Sequence, residues 1–183
     1  MSEFCFAVNK LIPLIQSDQK LFHTQDLALI LDISNRHNLR VKISRYIKKG
    51  ILKSVYRGLY STVPIQNIDK FKLGSFFIHK FCYLSLYSIF ERYGVINQKV
   101  HSINYVSSSS KKIEFNEELF VYKQMNIQYL LNLEGINLVN GVYEADLERA
   151  VADSDYFNLN TYFDSPDLIN WNRVAEIKAL VGY

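Results

Sequence analysis

Cysteine, proline and glycine are all scarce in this chain of 183 residues, with two, three and seven copies. Few prolines and glycines beside 13 Tyr and 12 Phe argue against a long disordered tail. The two cysteines, Cys5 and Cys82, each stand among apolar neighbours. They read as buried thiols of a reducing compartment, with a disulfide between them as the alternative. No apolar run approaches the roughly 20 residues of a membrane span, so no membrane contact is expected. The start of the chain lacks a basic stretch followed by an apolar one, so no signal peptide and a cytoplasmic location are expected.

Catalytic signatures are missing too. His23, His37, His79 and His101 are scattered, with no HxxxH or CxxC pairing, so neither a metal nor a cofactor is expected. There is no Gly-rich phosphate loop. Glu148 and Asp153 stand five apart in a helical stretch and point in different directions, a poor acid/base pair. His79 lies between apolar residues and reads as a core or boundary histidine. The Tyr83, Tyr87, Phe90 and Tyr93 series reads as packing, or as aromatic anchors of a protein interface. A nuclease would need acids gathered around a metal, and no such pattern is present. The expectation is a protein that is not an enzyme.

One further absence points the other way. Between Arg36 and Arg57 there are eight basic residues and no acid, in a chain of net charge only +3. Residues 1–62 hold ten Lys or Arg against four acids, and the remainder holds eleven against fourteen. A basic N-terminal unit and a mildly acidic C-terminal unit suit different partners.

The basic unit has an orderly local pattern. Phe4, Val8, Leu11 and Ile15 have helical spacing, and Pro13 should kink or end that helix. A second helix is expected with Thr24 as N-cap, Asp26 in its first turn, and Leu27, Ala28 and Leu31 on one apolar face. "DISNRHN" then offers a tight turn and a new N-cap. The third helix is expected from about Asn35 to Lys49, with Leu39, Ile43 and Ile47 inward. His37, Asn38, Val41, Arg45 and Lys48 would face outward, flanked by Lys42 and Ser44, and Gly50 would end the helix. "ILKSVYRGLYSTV" alternates around Arg57-Gly58 and reads as a hairpin with a tight turn.

Helix, helix, turn, basic helix, Gly, hairpin is the order of a winged helix-turn-helix. In that fold the third helix enters the major groove, and Arg57 at the hairpin tip reaches phosphate or the minor groove. Arg and Lys neutralise phosphates. Asn35, Arg36 and Asn38 are residue types that pair with base edges, and His37 either does so or is solvated. The candidate DNA-binding residues are therefore Thr24, Asn35, Arg36, His37, Asn38, Lys42, Arg45, Lys48 and Arg57. The bland alternative is a solvated helix face, or a winged helix used for protein contacts.

Residues 64–183 are expected to form a small mixed α/β domain, making the whole an α+β protein divided into 1–63 and 64–183. Residues 62–80 read as a connection with a short helix. Ser85 is expected to cap a helix carrying Leu86, Ile89, Phe90 and Tyr93 and stopped by Gly94. "VHSINYV" and "KIEFNEELFVYKQ" read as strands joined by the serine run as a hairpin loop. "EADLERAVADSDYF" reads as a helix with Leu147, Ala150 and Val151 inward and Glu144, Glu148 and Asp153 decorating it. A last helix would place Leu168, Trp171, Val174, Ile177 and Leu180 or Val181 on one stripe.

Four stretches together resemble the AbiEi family of antitoxins, the regulators of type IV toxin–antitoxin systems. "HTQDLALILDISNRHNLRVKISRYIKKGIL" is similar to the family's winged-helix segment, and "VYRGLYS" to its Arg-Gly-x-Tyr wing. "CYLSLYSIFERYGVI" is similar to its Tyr-(Ile/Leu)-Ser helix. "YEADLERAVADSDYF" is similar to its Ala-x-x-Glu-(Lys/Arg)-Ala-x-x-Asp helix, here Ala145, Glu148, Arg149, Ala150 and Asp153. The stretches span most of residues 20–157. The resemblance implies an abortive-infection operon with a nucleotidyltransferase-type toxin, neutralised without a stable complex. It assigns the antitoxin-domain motif to Ser85, Glu148, Arg149 and Asp153. It also implies repression of the operon through double-stranded operator DNA, bound by a dimer or by cooperative monomers. A stand-alone regulator with a ligand-binding or dimerising C-terminal domain, and no toxin, is the alternative.

Overall fold

The computed structural model describes Leu14 and residues 17–183. The first helix expected from the sequence, with Cys5 and Pro13, lies outside these. The protein is mixed α+β, with two sheets in two compact units that meet in sequence at His79/Lys80. The expected boundary after Val63 falls inside the first unit.

The described part of the first unit holds strand β1 (Leu21–His23), which the sequence pattern did not suggest, followed by α1 (Thr24–Ile30) and α2 (Arg36–Lys48). Strands β2 (Lys53–Tyr56) and β3 (Leu59–Ser61) make a hairpin, and β1 pairs antiparallel with β3. Helix α3 (Lys70–Phe76) is capped by Asp69, whose carboxylate accepts from the Lys72 N–H. Phe22, Leu27, Leu31, Leu39, Ile43, Tyr46 and Leu52 close the core.

Two local expectations change here. His23, not Thr24, is the N-cap of α1, and its N–H donates to the Asp26 carboxylate at 2.7 Å. Thr24 is already helical, and its N–H donates to the Gly58 carbonyl at 2.9 Å. The inner stripe of α2 is Leu39, Ile43 and Tyr46, while Ile47 is 37% exposed. Position 46 lies seven residues from 39 and so returns to the same side of a 3.6-residue turn, whereas 47 has rotated past it.

The second unit is built on a six-stranded mixed sheet in the order β6-β7-β5-β4-β9-β8. Its strands are β4 (Cys82–Leu84), β5 (Ser102–Ser107), β6 (Lys111–Phe115), β7 (Glu118–Gln124), β8 (Ile136–Val139) and β9 (Val142–Ala145). Helices α4 (Tyr87–Tyr93), α5 (Ile127–Leu130), α6 (Leu147–Tyr156) and α7 (Trp171–Val181) complete it, with α6 packed on α4 and α7.

The serine run does not close a hairpin. β5 pairs parallel with β7, and β6 lies beyond it, so the loop after Ser107 carries the chain past one strand position. The true hairpin is β6–β7, turned by Asn116 and Glu117, both with positive φ, the signature of a type I′ turn. β8–β9 is a second such hairpin, turned by Asn140-Gly141. In the last helix Val174, Ile177 and Val181 face inward, while Leu168, Trp171 and Leu180 are exposed. Cys82 is a buried thiol, and burial pushes its pKa up to about 12. Among the described residues no helix is long and apolar enough to cross a membrane.

Arg149 organises this unit. Its side chain and that of Asp153, one turn on, are both 0% exposed and pair at 2.9 Å. The Arg149 Nη1 group donates to the Asn132 and Glu134 carbonyls, and Nη2 donates to the Tyr83 hydroxyl and the Tyr129 carbonyl. With Nε on Asp153, each of its five N–H donors has an acceptor. Asp153 accepts in turn from the Ser85 and Tyr183 hydroxyls. Gly135, with φ +71, lets the 129–135 segment approach, since a Cβ there would lie 2.8 Å from the Arg149 Cβ.

Removing one partner of such a pair strands a buried charge, at a cost of about 3–5 kcal/mol. Asp153→Ala should therefore lower the stability of the second unit by about that amount in chemical denaturation. The double change Arg149→Met, Asp153→Leu should lower it by less. Equal losses in the two would show that packing volume, and not the stranded cation, sets the cost.

Candidate nucleic-acid interface

The candidate surface is the outer face of α2, and the sequence builds it from three local devices. Asn35 caps the helix, its side-chain oxygen accepting from the N–H groups of His37 and Asn38 at 3.0 and 3.1 Å. This engages the amide oxygen of Asn35 with the backbone of its own helix. Leu39, Ile43 and Tyr46 hold the inner face down. Gly50, with φ +71, ends the helix, while the Gly50 and Ile51 N–H groups return to the Ile47 and Tyr46 carbonyls.

With one side pinned, the opposite side points to water. His37, Asn38, Ser44, Arg45 and Lys48 are exposed along it, while Arg40 is exposed at its edge and Arg36 in the first turn of the helix. One shallow groove is lined by Asp32, Ile33, Ser34, Asn35, Asn38, Val41, Lys42 and Arg45, and another by His37, Arg40, Val41, Ser44, Arg45 and Lys48. Among the described residues, no ion pair engages Arg36, Arg40, Arg45 or Lys48. Lys42 is half-buried, its Nζ 5.2 Å from the centre of the Tyr46 ring. Arg40 was not among the expected contact residues. The signal was its place one turn after Arg36 in the acid-free run.

The β2–β3 hairpin carries Arg57 exposed at its turn, beside Gly58 with φ +73. The Thr24 hydroxyl and N–H both donate to the Gly58 carbonyl, so the start of α1 and the hairpin tip are tied together. Thr24 is half-buried, and its hydroxyl engages the backbone of the hairpin tip.

Beside this tie sits a histidine pair. The His23 ring centre is 4.3 Å from that of His79, and the His79 Nε2 is 3.5 Å from the Asp26 carboxylate. The His79 side chain is 48% exposed, so it is no core histidine. The His23 Nε2 is buried with no hydrogen-bond partner among the described residues.

The motif residues of the second unit have a different setting. Ser85 was expected to cap α4, but Leu86 holds that position, with φ +57. The Ser85 hydroxyl is buried and donates to Asp153 at 2.7 Å. Arg149 and Asp153 lie in the core, so Asp153 does not decorate the helix. Glu144 belongs to β9 and pairs with Arg92. Glu148 accepts from the Asn170 N–H at 3.2 Å and so joins α6 to the start of α7. Burial works against the Arg149 cation, but Asp153 and the Tyr83 and Tyr183 rings outweigh it, and its pKa is raised. The cluster is closed and self-satisfied. Among the described residues no three His, Cys, Asp or Glu side chains gather as a metal site needs. The chain matches no protein-family model and no curated protein.

The histidine pair generates a pH prediction. Burial, and then the neighbouring His79, hold the pKa of His23 below the usual 6.5. The unfolded chain then binds a proton that the folded one refuses, so stability is full above about pH 6.5 and falls as pH drops below it. Thermal melting across pH 7.5 to 5 should show this loss, and His23→Gln should flatten it. An unchanged slope in His23→Gln would assign the loss to another group.

Proposed function

We propose that residues 21–61 form a winged helix-turn-helix that binds double-stranded DNA in the cytoplasm. In this reading α2 is the recognition helix and the β2–β3 hairpin is the wing. One observation carries it: the outer face of α2 is exposed, basic and free of acids, opposite a fully apolar inner stripe. Such a face, with Arg57 displayed on an adjoining hairpin, is the electrostatic footprint of a duplex-binding module. Arg36, Arg40, Arg45, Lys48 and Arg57 hold phosphates, while Asn38 and His37, near the helix start, meet base edges.

The biological role we propose is that of a repressor of its own operon and the antitoxin of a type IV system. It would counter a nucleotidyltransferase-type toxin without forming a stable complex with it. The support is the ordered likeness to AbiEi antitoxins. Residues from two of the stretches that carry this likeness, Ser85 in one and Arg149 and Asp153 in the other, meet in one hydrogen-bonded cluster. Their part is to hold the second unit together, so any contact with the toxin pathway belongs to its surface.

A gel shift on the DNA upstream of the gene, across a salt series with scrambled competitor, tests the first claim. A specific complex should form and weaken steeply with salt. Arg45→Ala and Arg57→Ala should each lower affinity on all sequences and reduce the slope of log affinity against log salt by about one. Asn38→Ala should relax sequence preference. Undiminished binding in both arginine variants would refute the assigned face.

Co-expression with the adjacent nucleotidyltransferase tests the second. Growth should be rescued by the protein, and the two should elute separately in gel filtration. Rescue retained by Arg45→Ala would separate the antitoxin role from DNA binding. Failure of rescue by the intact chain would leave a DNA-binding regulator without this toxin.

A further inference from the structure

On the outer face of α2 one side chain breaks the pattern. Val41 stands where a solvated helix would carry a polar residue. At 100° per residue it lies opposite the Leu39, Ile43 and Tyr46 stripe, on the centre line of the exposed side. His37 and Asn38 precede it by one turn, and Ser44 and Arg45 follow it by one turn, so four polar side chains surround it. It lines both shallow grooves on this face.

Val41 is half-buried at that place. Among the described residues, Ala28, Ile30, Ile33, Ile51 and Tyr60 are the half-buried apolar residues packed against the core of this unit, and Val41 is not one of them. Valine is a weaker helix former than most polar residues that suit an exposed position. A β-branched side chain is also stiff in a helix, with one strongly preferred χ1. It therefore holds two methyl groups at a defined place over the face.

We propose that Val41 is a specificity-determining residue that packs on the C5-methyl group of a thymine in the major groove. This rests on the DNA-binding reading above and names what it reads. The chemistry is selective, because thymine alone of the four bases presents a methyl group in the major groove. The surrounding groups divide the remaining work. Arg40 on one flank and Arg45 on the other, with Lys48 two turns on from Val41, hold the phosphate walls, while Asn38, His37 and Ser44 hydrogen-bond to neighbouring base edges. The apolar contact at the centre of the face selects one base step.

The test uses the whole protein. Its preferred site is first selected from random duplexes. Each thymine of that site is then replaced in turn by deoxyuridine, which keeps the base pair and removes only the methyl group. For the native protein, one replacement should lower affinity about four-fold, the factor expected for burying one methyl group. Val41→Ala should bind the thymine site about four-fold more weakly and be indifferent to that same replacement. Alanine raises helix propensity, so this variant should fold, and its circular dichroism should match that of the native protein.

Three results overturn the assignment, and they differ in what else they remove. If a site is selected but every deoxyuridine replacement is neutral, the Val41 contact is wrong and the DNA-binding reading stands. If one replacement matters but costs Val41→Ala just as much, another residue reads that methyl group. If no duplex is selected at all, the DNA-binding reading fails together with the assignment.

Discussion

Arg149 carries five N–H donors into a place where water reaches none of them. That requirement shapes the second unit. Its donors reach the carbonyls of Tyr129, Asn132 and Glu134 on one segment, the Tyr83 hydroxyl on β4 and the Asp153 carboxylate on its own helix. Asp153 then draws in Ser85 at the strand-to-helix turn and Tyr183 beyond α7. A half-satisfied version of this network would be worse than an apolar core, because each unpaired group would bear its full desolvation penalty. Gly135 is part of the same solution, since the 129–135 segment can deliver its carbonyls only where no Cβ stands in the way.

The first unit solves a different problem. It is held by a small apolar core, and its polar chemistry is turned outward. Asn35, the Gly50 stop and the tie from Thr24 to Gly58 all act on backbone, and together they hold α2 and the hairpin tip in place. α2 itself carries no acid, and Asp32 lines the groove beside Asn38, Lys42 and Arg45. The two units thus treat charge in opposite ways. Arg149 is neutralised and enclosed, while Arg36, Arg40, Arg45 and Lys48 stand exposed and unpaired among the described residues.

This contrast explains what was legible in the sequence. The basic helix could be read almost residue by residue: its cap at Asn35, its stop at Gly50, its acid-free outer face and the hairpin around Arg57-Gly58. Two hairpins of the second unit were legible in principle through Asn116-Glu117 and Asn140-Gly141, yet only the latter is a strong turn signal. The run around Asn116 reads as one long alternating strand until the turn is seen. Strand β1, of three residues, is too short to show a period. The position of Val41 on the exposed side was legible. That it is half-buried there was not.

The sequence by itself determined the local structure and the charge of the first unit's surface. Caps, stops, two-residue turns and i, i+4 stripes are settled by atoms within about one turn of each other. Only the tertiary structure decided that Asp153 is inside and not on the surface, that Ser85 serves Asp153 and not a helix end, and that β5 lies parallel to β7. Each of those outcomes depends on partners far along the chain, as when Arg149 meets a hydroxyl 66 residues away. A charged side chain carries no local mark of being buried. Whether it can be depends on acceptors that the whole fold assembles around it.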